Sequence, residues 1–594
     1  MFKAFAKITA AALTLCLALP LVPAAAADRG EEVTVRVGLA SAYYHNSLGE
    51  LEAAHLENED GCGEGYRFGY YDEDLNFVEL ARTDHGTTQV AVLKTTNLTY
   101  GYSSALGKYT YGEDLSGDVT VGCYHVLVEE GLNREEAEAL AALFDDGFVA
   151  WIDGAYQVRA GAYPTKEEAE AAYEDISYAL DVVGTSSYGM SVVETGTDRI
   201  LFQYDMGQGG KLAIQPGQED GEETRTWFSG YHYRGGFQYH RRTGGDLTVV
   251  NVVGLEDYVN GVICYEMGRN WPLEALKAQA MCARTYVLRN LNTHDSYGFD
   301  ICNSNYCQVY YGMGTGESYG PSETSLRAVD ETAGLVIRYD GRLAETPYSS
   351  SFGGASEDAA NVWGTDTDEE HPYLCGVEDP YESYADDINS RAHWTVRYSA
   401  RELDSLLHSE GYGTSTSVDY LELEYSDLGN VIRVTIHWEN GQTNSLRPSG
   451  SGAIRSVLGL NSIRFTVNGE TPDGGARARS GDGSYLINGE DPLEDWEDVY
   501  VISGSGEVDA LDEEPCVITG TGQVSSLEEG QQTAPGASGG GIVTVSGGEY
   551  IFEGGGWGHQ VGLSQFGAYA MASRGFDFEE IITFYYPGVD IEPY

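Results

Sequence analysis

Positive charge is scarce in this chain of 594 residues: 34 Lys and Arg face 93 Asp and Glu, a formal net charge of −59. Such a surface repels phosphates at long range, which argues against nucleic acid as a partner. Long apolar runs are almost absent too. Lys3 and Lys7 precede a single one, Ile8 to Val22, and the small residues Ala24 to Ala27 follow it. That is the layout of an export signal over residues 1–27, with cleavage after Ala27; left uncut, it would serve as the chain's membrane anchor. Cys16 has no small residue just before it, which argues against a lipoprotein site. No later run reaches the roughly 18 apolar residues of a membrane helix. Cysteine is sparse, and once Cys16 has left with the signal, Cys62, Cys123, Cys264, Cys282, Cys302, Cys307, Cys375 and Cys516 lie too far apart for a disulfide scaffold.

What the chain does contain is 42% hydrophobic residues, enough to build packed cores, and a length that fits about two to four domains. Its 43 tyrosines offer flat apolar faces with polar tips, on which sugars stack, although most will be ordinary strand residues. Residues 33–116 read as short strands, opening on the alternating VTVRVGL of Val33 to Leu39. Residues 119–195 change to a βα repeat: YHVLVEEGLNREEAEALAALF resembles YQVRAGAYPTKEEAEAAYEDI. In the second copy Thr165 can cap a helix whose first turn carries Glu167 and Glu168. Residues 231–467 are the densest in motifs, 468–547 are a Gly-, Ser- and acid-rich insertion or linker, and 548–594 regain ordered character.

Four clusters carry chemistry. In LEDYVNGVICYEM, Glu266 sits among Val262, Ile263, Tyr265 and Met267, where apolar contact would raise its pKa toward the range of a general acid; Glu256, Asp257 and Glu274 compete on chemistry alone. In WPLEALKAQAMCARTYVL, Pro272 opens a helix whose buried face is Leu273, Leu276, Ala280, Ala283 and Val287, with Lys277, Gln279 and Arg284 elsewhere on its surface. His294, Cys302 and Cys307 have residue types that ligate zinc, while a short-loop Cys302–Cys307 disulfide is the competing reading. Lastly, YSSSFGGASE and EGGGWGHQVGLSQFGAYAMA place Tyr348, Ser350, His559, Ser564 and Gln565 beside glycine turns; no Gly-Lys-Ser/Thr follows, so these are not phosphate loops.

Together LEDYVNGVICYEM, WPLEALKAQAMCARTYVL, CQVYYG, YSSSFGGASE and GWGHQVGLSQFGAYAMASRGFDFEEIITFYYPG resemble, in order, the stage II sporulation protein D and amidase-enhancer family. The βα repeat resembles a SPOR domain, which implies binding to peptide-stripped glycan. The fold expected is α+β: a strand-rich domain with a helix-bearing catalytic segment, interrupted by a small SPOR-like domain. The family resemblance implies an exported lytic transglycosylase of peptidoglycan, with Glu266 as the single acid/base and an anhydro-muramic product, working beside a partner amidase during sporulation. A single carboxyl suits that reaction, whereas hydrolysis ordinarily needs two. The resemblance also implies that Lys277, Arg284, Gln308, Tyr348, Ser350, His559 and Gln565 line the glycan groove, and that His294, Cys302 and Cys307 hold a structural zinc. The alternative is a non-catalytic peptidoglycan binder that enhances the amidase. Two positions depart from the family: Gly268 replaces a usual proline, and Gln560 a usual glycine.

Overall fold

The computed structural model describes residues 33–58, 65–175, 179–217, 224–315, 320–365, 371–413, 415–450, 452–472 and 540–594, with four short strands between 500 and 526. The expected export signal and most of the 468–547 insertion lie outside these residues. Within the insertion, Tyr500–Ile502 pairs with Val508–Ala510, and Cys516–Ile518 with Val524–Ser526. Among the described residues no helix is long and apolar enough to cross a membrane.

The fold is α+β. The alternation at the start is a strand, Thr34–Ala40, that buries Val35, Val37 and Leu39. It lies in a seven-stranded sheet between Thr248–Gly254 and the two-residue strand Ile301–Cys302. The parallel pairing Gly38↔Cys302 carries the cysteine cluster to that sheet's edge.

The βα repeat forms as its sequence predicts. Asn133 and Glu136 make a reciprocal capping box on the Arg134–Ala141 helix, and Thr165 Oγ1 accepts the Glu168 N–H at 3.2 Å. It is not a separate sub-fold, which corrects the expectation of an inserted SPOR-like domain. Its strands Tyr124–Leu132, Gly147–Ile152 and Ala155–Tyr163 are continuous with a ten-stranded sheet that also holds Ala53–Asn58, Gln89–Lys94, Met190–Glu194 and Ile200–Asp205. The join is the parallel pairing Val149↔Phe202. One core runs across it: Phe148 and Ala150 of the repeat pack with Leu93, Leu98, Tyr111 and Val193. A one-faced β-repeat needs an apolar partner, and here the flanking strands supply it.

Five helices gather around the motif region. Leu273–Arg289 packs against Leu255–Glu266, Glu323–Glu331, Gln565–Ser573 and Phe578–Tyr585. A helix surrounded in this way is buried nearly all round. Gln279 and Arg284, expected on its surface, are fully buried together with Ala278, Ala280 and Met281. Strand Glu549–Gly554, beyond the insertion, pairs with both Trp394–Ser399 and Phe465–Val467.

Candidate functional site

Glu266 is the last residue of the Leu255–Glu266 helix, whose apolar positions anchor it to the core through Tyr258, Val259, Val262 and Ile263. Its Oε1 accepts the Val309 backbone N–H at 3.3 Å, and its Oε2 accepts the Gln565 amide at 3.3 Å. Gln565 also donates to Gln279 Oε1 at 3.3 Å. The Gln308 amide donates to the Tyr348 hydroxyl at 3.1 Å and accepts from Tyr258 at 2.9 Å. Because Gln308 donates to the Tyr348 oxygen, the Tyr348 O–H is left to donate to Glu266. Burial raises the Glu266 pKa; the Val309 N–H, the Gln565 amide and the Tyr348 hydroxyl each pull it back down.

Tyr348 is held by a short parallel pairing, Tyr348↔Leu563 and Ser349↔Ser564, which joins the two glycine-turn motifs. His559 Nδ1 accepts the Val561 N–H at 3.1 Å, which fixes the tautomer: Nε2 carries the proton and donates to the Tyr348 carbonyl at 2.8 Å. Burial lowers the His559 pKa to about 4, so the ring is neutral at ordinary pH. It is a brace for Tyr348. Ser350 enters through its backbone, its carbonyl accepting the Phe566 N–H at 3.0 Å.

Gln560 has φ 64°, the left-handed conformation that glycine supplies elsewhere. Three side-chain hydrogen bonds offset that strain. Its Oε1 accepts the Ile463 N–H at 2.8 Å, and its Nε2 donates to the Phe352 carbonyl at 2.8 Å and to Asn430 at 3.3 Å. These bonds hold Gln560 in the left-handed conformation. At Gly268 the Trp271 indole lies 2.3 Å from where a Cβ would stand, so this loop is closed against a side chain.

Lys277 and Arg284 take partners other than Glu266. Lys277 pairs with Glu274 at 2.9 Å and Glu331 at 2.7 Å, and lies over the Phe578 ring. Arg284 is fully buried, with a two-pronged contact to Glu256 and further donors aimed at Thr332 and the Leu335 carbonyl. Both are tied up in holding helices together.

Among the buried carboxyls that the sequence reading missed, Glu382 and Asp379 stand closest to the Ser564 turn. Glu382 accepts the Phe352 and Gly353 N–H groups at 2.8 Å and the Ser564 hydroxyl at 2.8 Å. Asp379 accepts the Tyr585 hydroxyl at 2.5 Å and the Tyr381 N–H at 2.9 Å. Ser564 in turn caps the Gln565–Ser573 helix through the Gly567 N–H at 3.0 Å, so Glu382 fixes the turn from which Gln565 reaches Glu266.

His294, Cys302 and Cys307 do come together: one ligand atom from each lies within 4.8 Å of the others. His294 Nε2 is 3.2 Å from Cys307 Sγ, and Tyr43 packs on the imidazole with ring centroids 4.3 Å apart. Both cysteines are free thiols. A nitrogen and two sulfurs that close can hold a metal ion with small side-chain movement.

Residues 243–339 match the family described as stage II sporulation protein. An uncharacterized protein of Brachyspira hyodysenteriae is 29% identical over 351 residues, 59% of this chain and 69% of that protein. An amidase enhancer of Bacillus subtilis is 27% identical over 341 residues, 57% of this chain but 40% of its own length. Stage II sporulation protein D of Bacillus subtilis is 29% identical over 237 residues, 37% of this chain and 63% of that protein. These matches make the chain similar to stage II sporulation protein D and to an amidase enhancer over part of its length, and it spans 63% and 40% of those two relatives. They also correct one expectation. A relative aligned over more than half of this chain is named an enhancer of an amidase, which argues against an independent lytic transglycosylase activity.

Proposed function

We propose that this chain is a non-catalytic binder of peptidoglycan glycan strands that enhances a partner amidase outside the cytoplasm. The observation that carries the reading is a pair of half-exposed tryptophans, Trp363 and Trp557, beside the turn that braces Tyr348. Trp363 packs on His559 with ring centroids 5.1 Å apart, and Trp557 exchanges backbone hydrogen bonds with Ser351 at 2.8 and 3.1 Å. Exposed indole faces stack on pyranose rings, and the polar groups behind them read hydroxyls and acetamides. Behind Trp363, His559 donates to the Tyr348 carbonyl, and Gln308, Gln565 and Glu266 continue that hydrogen-bonded network. Gln279 Nε2, buried beside it, has no hydrogen-bond partner among the described residues.

Pelleting with peptide-free glycan strands tests the binding, and release of stem peptides by a muramoyl amidase tests the enhancement. The wild type is expected to sediment with glycan and to raise the amidase rate. Trp363→Ala/Trp557→Ala is expected to lose at least tenfold in binding, at about 1–3 kcal/mol per stacked ring, by analogy with base stacking on aromatic side chains. A double variant that pellets like wild type would sink this reading.

The His294–Cys302–Cys307 cluster is proposed to hold a structural zinc that pins residues 294–307 to the strand Thr34–Ala40. Zinc at a hundredfold excess over its dissociation constant should stabilise the fold by about 2.7 kcal/mol. The expected result is a higher thermal midpoint with added zinc, and no such rise in Cys302→Ser. Identical midpoints with zinc and with chelator would remove the metal from the account.

A further inference from the structure

A second cluster stands apart from these residues, on the ten-stranded sheet. Strand Ala53–Asn58 pairs with Gln89–Lys94 on one side and with Thr226–Phe228 on the other. The hairpin Leu98–Ser103 to Lys108–Gly112 lies against it, with His55 Nε2 2.9 Å from Thr110 Oγ1. Between them is a cleft of about 130 Å³, lined by His55, Glu57, Gln89, Lys108, Thr195 and Trp227 among others. That is space for about four waters, at about 30 Å³ each.

Three features of this cleft are unexplained by the fold. Lys108 Nζ lies over the Trp227 indole at 5.6 Å and has no ion pair among the described residues, in a chain where acids outnumber bases 93 to 34. Partial burial lowers its pKa, and Glu57, the carboxylate that lines the same cleft, makes no ion pair with it among the described residues. Thr195 Oγ1 is buried at the cleft wall without a hydrogen-bond partner. Gln89 and Glu57, joined at 2.8 Å, present an amide and a carboxylate at the rim. Next to the cleft the hairpin shows Tyr102 and Tyr109 to solvent, directly paired across the strands with ring centroids 5.5 Å apart.

The geometry points to a second saccharide subsite at this cleft, one that takes a sugar bearing a carboxylate. Trp227 supplies the stacking face, Lys108 the counter-charge, and Thr195, Gln89 and Glu57 the hydroxyl partners. The inference rests on the glycan reading above and deepens it. Hydrolysis of the amide between a muramic lactyl group and its stem peptide releases an amine and leaves a carboxylate on the sugar. Lys108 would supply the counter-charge to that carboxylate, which chitobiose lacks.

The test is ligand-observed NMR titration of the full chain with two probes. One is the peptide-free disaccharide of N-acetylglucosamine and N-acetylmuramic acid; the other is diacetylchitobiose, which has no carboxylate. Lys108→Gln is expected to weaken the acidic disaccharide at least tenfold and leave chitobiose unchanged, whereas Trp227→Leu weakens both. Both positions are partly exposed, and an unchanged thermal midpoint confirms folding. Wild-type affinity for the acidic probe in both variants overturns the subsite. If Trp557→Ala alone abolishes binding, the subsite falls while the proposed function stands. If no probe binds and the chain does not pellet with glycan, both fall.

Discussion

Replacing Glu256 with Leu is expected to destabilise the fold by about 3–5 kcal/mol, because it leaves the Arg284 charge buried without its carboxylate. Arg284 has no exposed side-chain surface, and Glu256 meets it at 2.6 Å. The reverse change, Arg284→Met, should cost less: Glu256 is about one-third exposed and water can solvate it. The double variant Glu256→Leu/Arg284→Met should recover part of the loss, since an apolar pair of similar volume replaces the ions. Urea unfolding measures all three. Glycan pelleting at low temperature should survive Arg284→Met; a variant of full stability that has lost glycan binding would instead place Arg284 in the groove.

Glu382→Ala should have an effect of similar size, about 3–5 kcal/mol, by leaving two backbone N–H groups and one hydroxyl buried without an acceptor. The damage should reach function. Glu382 holds Ser564, Ser564 starts the Gln565 helix, and Gln565 contacts Glu266. Burial, with Asp379 close by, raises the Glu382 pKa to about 7, against an ordinary value of 4.5. A carboxyl raised on folding contributes stability that is fully present below about 4.5 and is lost as pH rises through about 7. Wild-type stability, taken relative to Glu382→Gln, should therefore fall between these two values. A pH-independent difference between the two proteins would remove Glu382 as the cause.

Much of the candidate site could be read from sequence because it is built from contiguous motifs. Glu266, Gln308, Tyr348, His559 and Gln565 were singled out separately, and the fold brings them into one network. Lys277 and Arg284 show where such reading stops. The sequence put them on the helix surface, but position on a helix names no neighbour, and the neighbours are Glu331 and Glu256. Glu382 was invisible for a different reason. It starts a four-residue 3-10 turn with no periodicity, and its partners are backbone groups, which leave no mark in the sequence. Thr165 and Glu168 foretold a helix correctly, while nothing in the repeat could show that Val149 pairs with Phe202. Local propensity is written in adjacent residues, but the edge at which one sheet joins another is not.

The pairing of Tyr348 with Leu563 also sets an order of assembly. Gln565 reaches Glu266 across 299 residues, and His559 reaches Tyr348 across 211. Most of the chain must be present before any of these contacts can close, and such distant closures come late because little local structure repays their entropy. Strands such as Thr34–Ala40 and Thr248–Gly254 can join beforehand. A chain that emerges with its amino end first would therefore acquire a packed body, with the Trp227 cleft in it, well before Gln565 and His559 could complete the network around Glu266 and Tyr348.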